Sequence, residues 1–339
     1  MDTQLMANTA RAMVAPGKGL LAADESAGTC KKRFDSVGVE STEENRRAYR
    51  EMLFTTPGIA DFVSGVILFD ETLRQSTRDG VNFAEHLKKN GIIPGIKVDA
   101  GTSDMALHPG EKVTEGLDKL AARMAEYFKM GARFAKWRAV ITIGPGIPTQ
   151  ACLDANAHAL ARYSAICQEA SIVPIVEPEV LLDGDHRAAA SEEAHERTLE
   201  TLFHELATQD VSLEHLVLKA SMCVSGKDNP AQAGVQEVAE RTLRVLKRTV
   251  PAALPGVVFL SGGQSDENAT AHLDAMNRMG APWPLTFSYS RALQAVALKA
   301  WRGQAGNVAA AQKAFHHRAR MNSLAAKGQW SAEVEKKAA

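Results

Sequence analysis

Eight short apolar runs punctuate the chain, at residues 19–24, 63–70, 92–97, 132–136, 172–177, 214–219, 257–261 and 285–288, each bounded by glycine, proline or charge. Runs this short and this uniformly apolar fit parallel strands covered on both faces. The stretches between them read as helices. Ser41-Thr42-Glu43-Glu44 forms a capping box ahead of residues 45–54, in which a hydroxyl and a carboxylate satisfy the first free backbone N–H groups. Leu117, Leu120, Ala121, Met124 and Phe128 share one stripe of a 3.6-residue period, and residues 156–167, 192–206, 235–246 and 291–301 follow the same pattern. Eight strands alternating with helices predict an α/β fold, a single (β/α)8 TIM barrel closed on itself.

No linker rich in Pro, Gly or Ser divides the 339 residues, so one domain over 1–339 is expected, with 329–339 as a flexible tail. A hydrophobic fraction of 45% and a net charge of −1 argue against nucleic acid or acidic membrane as bulk partners. No secretory leader or long apolar span is visible, which predicts a cytoplasmic protein. The four cysteines have no C-x-x-C spacing, and the ten histidines form no local ligand set, so no metal site is expected.

In such a barrel the strands' carboxyl ends build the active site. Reading those ends together collects Asp24, Lys97, Lys136, Arg138, Glu177, Glu179, Lys219, Ser261 and Arg291 on one rim. Lys136 and Lys219 attract attention first, because two amines in one site raise each other's cost of being charged. Only roughly 1 in 2,500 ordinary lysine amines is neutral at pH 7, so such activation decides whether a lysine can attack a carbonyl. Glu177-Pro178-Glu179 offers one acid to pair with a lysine and another to move protons. Ser261-Gly262-Gly263-Gln264 precedes a helical stretch and resembles a phosphate cradle, and Arg291 opens the helix after the eighth run.

Leu21-Ala22-Ala23-Asp24-Glu25-Ser26, Gly95-Ile96-Lys97-Val98-Asp99, Phe134-Ala135-Lys136-Trp137-Arg138, Ile175-Val176-Glu177-Pro178-Glu179, Phe259 to Ser265 and Ser290-Arg291-Ala292-Leu293-Gln294 together resemble the sequence marks of class I fructose-1,6-bisphosphate aldolase, in the family's order. The resemblance implies a cofactor-free Schiff-base lyase that splits fructose 1,6-bisphosphate into dihydroxyacetone phosphate and glyceraldehyde 3-phosphate and runs in reverse in gluconeogenesis. By the same resemblance Lys219 forms the imine, Glu177 is the acid/base of its formation, Asp24 handles the C4 hydroxyl proton, and Lys136 and Glu179 support the nucleophile. Ser261, Gly262, Gly263, Ser290 and Arg291 fall to the C1 phosphate, and Arg33, Lys97 and Arg138 to the C6 phosphate. A phosphosugar substrate and a homotetramer are implied as well.

Three departures stand out. Animal members have Pro-Asn where this chain has Ala220-Ser221, Gly where it has Ser290, and a terminal tyrosine where its last tyrosine is Tyr289. A Schiff-base lyase for another phosphorylated ketose would share the lysine pair without needing Arg33, Lys97 and Arg138. A catalytically idle phosphosugar- or protein-binding scaffold would be free to lose Lys219, Glu177 or Asp24, all of which are present.

Overall fold

The eight runs become strands β1 Gly19–Ala23, β2 Val63–Leu68, β3 Ile93–Lys97, β4 Phe134–Ile141, β5 Val173–Val180, β6 Val217–Ala220, β7 Val257–Phe259 and β8 Leu285–Tyr289. In the computed structural model, which describes residues 1–338, they close into a parallel barrel in chain order. Closure is made by β1 on β8, with Leu20 opposite Ser288 and Leu21 opposite Tyr289.

Period-two alternation sorts each strand into an inner and an outer face. Leu20, Ala22, Ile67, Phe134, Val173, Ile175, Val217 and Val258 form the inner apolar cluster. The same parity carries Lys136 inward above Phe134, Glu177 above Ile175 and Lys219 above Val217. Room for the Phe134 ring comes from two glycines, since a Cβ on Gly95 would lie 2.2 Å from a ring carbon and one on Gly65 3.0 Å from another. Below this layer the helix Thr3–Met13, capped by Asp2 through a 2.9 Å bond from the Leu5 N–H, buries Met6, Ala10 and Met13 against the cluster. Each large side chain so buried contributes about 1.5–3 kcal/mol.

Strand ends differ from the sequence reading in a systematic way. β4 and β5 continue past their apolar runs to Ile141 and Val180, because Arg138 pairs in register with Glu177, and Val140 with Glu179, so polar positions extend the ladder. β6 begins only at Val217, and the preceding Leu213–His215 is a single 3-10 turn. A hairpin of Thr102–Asp104 with Lys112–Thr114 follows β3, outside the eight runs. The expected outer helices are present as Glu43–Phe54, Leu120–Lys129, Gln150–Glu169, Ala188–Thr208, Val235–Thr249 and Arg291–Trp301.

The carboxyl-terminal stretch, expected to be a flexible tail over 329–339, is docked in the structure, apart from its last residue, which lies outside the described ones. Residues Ala332–Ala338 are helical, and Glu335 is buried against the helix Val308–Ala325. Its Oε1 accepts from His317 Nε2 and Arg318 Nη1, each at 2.7 Å, and its Oε2 accepts from Trp330 Nε1 at 2.7 Å. Trp330 also donates its backbone N–H to Asp274 at 2.8 Å. One carboxylate thus meets three donors in a stretch of small and charged residues. Among the described residues no helix is long and apolar enough to cross a membrane.

Candidate active site

A cavity of about 570 Å³ opens at the carboxyl ends of the strands. Its walls include Asp24 after β1, Lys97 on β3, Lys136 and Arg138 on β4, Glu177 and Glu179 on β5, Lys219 on β6, Ser261 and Gly262 after β7, and Ser290 and Arg291 after β8. Arg33, from the helix Ala27–Asp35, completes the wall. The sequence-predicted rim residues thus meet in one space, apart from Gly263, which lines the neighbouring cavity beside Arg291.

Glu177 sits between the two lysines. Its Oε1 is 2.9 Å from Lys219 Nζ and its Oε2 3.2 Å from Lys136 Nζ. The second contact is close but poorly aligned, and among the described residues Oε2 has no hydrogen-bond partner although it is buried. Burial opposes the Glu177 charge, yet Lys136, Lys219 and Arg138 outweigh it and hold the carboxyl below its ordinary range.

Lys136 is ringed by three carboxylates. Asp24 lies 2.8 Å from its Nζ, Glu177 3.2 Å and Asp99 4.0 Å. Burial disfavours the ammonium, but these carboxylates more than compensate and raise its pKa. Asp24 responds in kind: burial works against its charge, while Lys136, Lys219 and Lys97 hold it well below the usual carboxylate range. Lys136 therefore stays an ammonium and Asp24 a carboxylate at neutral pH.

Glu179 was expected beside the lysines and is instead paired with Arg138. Two residues further along β5, it stands one layer nearer the mouth than Glu177. Lys97 reaches Asp99 at 2.6 Å. Arg33, grouped by resemblance with Lys97 and Arg138, has its guanidinium bonded to Glu25 and 2.9 Å from the Ser290 hydroxyl. Glu25 is the residue the sequence reading passed over. Buried beside Asp24, it accepts from Arg33, from Arg50 at 3.0 Å, from Ser290 at 2.8 Å and from Gln294 at 3.0 Å. Its place inside the motif Ala23-Asp24-Glu25-Ser26 was the available signal. Ser288 was also missed; its hydroxyl is buried, lines the cavity and has no partner among the described residues.

Behind the rim, Gly262 and Gly263 adopt φ of +56° and +99°, which an L side chain resists. A Cβ on Gly263 would lie 3.3 Å from Arg291 Nη2, so this turn and the arginine are neighbours. Arg291 has no ion pair among the described residues, and burial together with nearby Arg33 pulls its pKa down. Ser290 has φ −105°, which accommodates a side chain where animal relatives have glycine. No group of three His, Cys, Asp or Glu side chains converges to hold a metal ion among the described residues.

A family model described as fructose-bisphosphate aldolase class-I matches residues 5–339. The chain belongs to the class-I fructose-bisphosphate aldolase family. A probable fructose-bisphosphate aldolase class 1 of Xanthomonas campestris is 59% identical over 332 residues, covering 97% of this chain and 99% of that one. Fructose-bisphosphate aldolase 1 of Toxoplasma gondii is 53% identical, covering 96% and 90%. A crystal structure of the Plasmodium falciparum fructose-bisphosphate aldolase superposes with a TM-score of 0.96 at 48% identity, covering 97% of this chain and 96% of the other. As a member of this family the chain is a lyase, and its reaction is the reversible aldol cleavage of fructose bisphosphate.

Proposed function

We propose that cleavage proceeds through an imine on Lys219. The observation that carries this reading is the 2.9 Å contact of Lys219 Nζ with Glu177, in a cavity with cationic side chains towards both ends. Glu177 takes a proton from Lys219, and the neutral amine attacks the C2 ketone of the open-chain sugar. The same carboxyl, now protonated, donates to the carbinolamine hydroxyl as water leaves. In the iminium, nitrogen is the electron sink for the C3–C4 bond. Asp24, kept ionised by Lys136, accepts the C4 hydroxyl proton as that bond breaks, releasing glyceraldehyde 3-phosphate. Protonation of the enamine at C3 and hydrolysis of the imine return dihydroxyacetone phosphate and Lys219. The step serves glycolysis and, reversed, gluconeogenesis.

Ser261, Gly262, Gly263 and Arg291 are read as the C1-phosphate site, with Ser290 and Arg33 adjoining it, and Lys97 and Arg138 as the C6-phosphate site. Glu179 orients Arg138. The positive-φ glycine turn and Arg291, without an ion pair among the described residues, support the first group. Tyr289 is no substitute for a terminal tyrosine, being fully buried with its hydroxyl donating to the Ala269 carbonyl at 2.8 Å. The same proposal takes the chain as one barrel domain that assembles as a cytoplasmic homotetramer, for which family resemblance is the support and light scattering the check.

Incubation with dihydroxyacetone phosphate followed by borohydride reduction tests the imine. Peptide mapping should find the adduct on Lys219. Labelling of Lys136 alone, or active protein with no label, would overturn the assignment.

A further inference from the structure

β5 and β6 carry Glu177 and Lys219, yet their backbone pairing ends one residue too early to align them. The last register positions are Ile175 opposite Val217 and Val176 opposite Leu218. Beyond that point each strand stays paired only on its other side, β5 with β4 as far as Val180 and β6 with β7 as far as Ala220. The seam of the barrel is therefore open at the height of the reacting groups.

A chain of polar contacts spans that seam. The Val180 N–H, at the end of β5, donates to Ser221 Oγ at 3.1 Å. Ser221 follows β6 directly, and its Oγ lies 2.8 Å from His195 Nε2. His195 projects from the helix Ala188–Thr208, and its Nδ1 is 2.7 Å from the Ser191 carbonyl oxygen. A carbonyl only accepts, so Nδ1 carries the proton and Nε2 is left to accept from the Ser221 hydroxyl. The donors then run in one direction: Val180 N–H to Ser221, Ser221 O–H to His195, His195 N–H to Ser191. Both side chains are buried, at 6% and 4% exposure, so water does not compete for these bonds. Burial pushes His195 down to about 4, consistent with a neutral ring.

We propose that Ser221 and His195 are positioning residues that close the open seam between β5 and β6 and so hold Lys219 against Glu177. Ser221 stands in the Ala220-Ser221 pair that departs from the animal Pro-Asn, so the polar tie supplies constraint where the rigid proline ring is missing. Neither residue touches the cavity, so each acts through the strand ends.

The inference rests on Lys219 being the nucleophile, and the experiment separates the two. The rate of borohydride-trapped labelling of Lys219, together with kcat and KM, is measured for the full chain and for Ser221→Ala, His195→Leu and His195→Gln. Loss of the tie should slow labelling and kcat by about tenfold with KM within about twofold, because small misplacements of reacting groups weigh on the chemical step. His195→Gln, whose amide oxygen can accept from Ser221, should recover most of the rate lost in His195→Leu. Wild-type labelling at Lys219 with unchanged rates in folded Ser221→Ala and His195→Leu overturns the inference alone, even if both melt earlier. Absence of labelling in the wild type overturns the Lys219 reading and the inference with it. Should Ser221→Ala fail to fold, equal rates in the two His195 variants overturn the inference, and recovery by glutamine upholds it.

Discussion

Glu177 at the barrel mouth and Glu335 on its outer wall are both buried carboxylates held by two basic side chains, yet they are built for opposite ends. Both oxygens of Glu335 are occupied, by His317 and Arg318 on one and Trp330 on the other. Glu177 has its Oε1 2.9 Å from Lys219 Nζ and its buried Oε2 without a hydrogen-bond partner among the described residues. A fully satisfied carboxylate lowers the energy of the folded chain and has little left to exchange. A half-satisfied one keeps capacity for a proton, at some expense in stability, and it sits between lysines, a residue type that can give a proton up where arginine does not.

The comparison breaks most severely at Lys219. Lys219→Ala should lower cleavage by about a thousandfold or more, read in a coupled assay, since no other group can carry the covalent intermediate. Next in size, Glu177→Gln should lower kcat by about a hundredfold with little change in substrate binding, as expected for a positioned acid/base. Near-normal turnover with a lowered melting temperature would make Glu177 a structural partner and erase the contrast.

Glu335→Gln should do the reverse, keeping kcat within about twofold while lowering stability by about 1–3 kcal/mol in denaturant titration, because buried Arg318 loses a charged acceptor. Deleting residues 331–339 should behave alike for the same reason. A tenfold loss of proton exchange on dihydroxyacetone phosphate, with normal imine formation, would instead make the terminus catalytic. Acidity gives a finer test. Burial opposes the Glu335 charge, but Trp330, Arg318 and His317 prevail and hold its pKa below the ordinary 4.5. Its stabilisation is thus complete above pH 4.5 and fades as pH falls through the lower folded value. The stability gap between wild type and Glu335→Gln should narrow across that acidic window. The smallest expected effect is that of chelation: exhaustive EDTA treatment should leave cleavage unchanged, as the iminium supplies the electron sink a metal would otherwise provide.

Most of the mouth was legible because buried parallel strands are written as apolar runs, and the first charges after each run mark the rim. Lys136, Glu177 and Lys219 announced themselves this way. What those charges do to one another was not legible. Lys136 keeps its proton because Asp24, Glu177 and Asp99 reach it from three different strand ends, and only barrel closure sets those distances. Glu25 depends on Arg50, a fully buried arginine from a helix whose sequence reads as ordinary surface pattern. Glu335 likewise depends on the angle at which a short terminal helix meets His317 and Arg318, and local composition carries no trace of it.

The helix Thr3–Met13 covers the far end of the barrel with Met6 and Met13 and the apolar layer around Phe134 fills the interior above it, so the cavity's doorway lies at the carboxyl ends of the strands. With the ketone fragment covalently tethered to Lys219, the aldehyde has nothing but contacts to hold it, and it leaves through that doorway first. In the synthetic direction it must arrive second, after the ketone has been loaded. The tether thus imposes a queue, and steady-state kinetics should show ordered release with the aldehyde as first product.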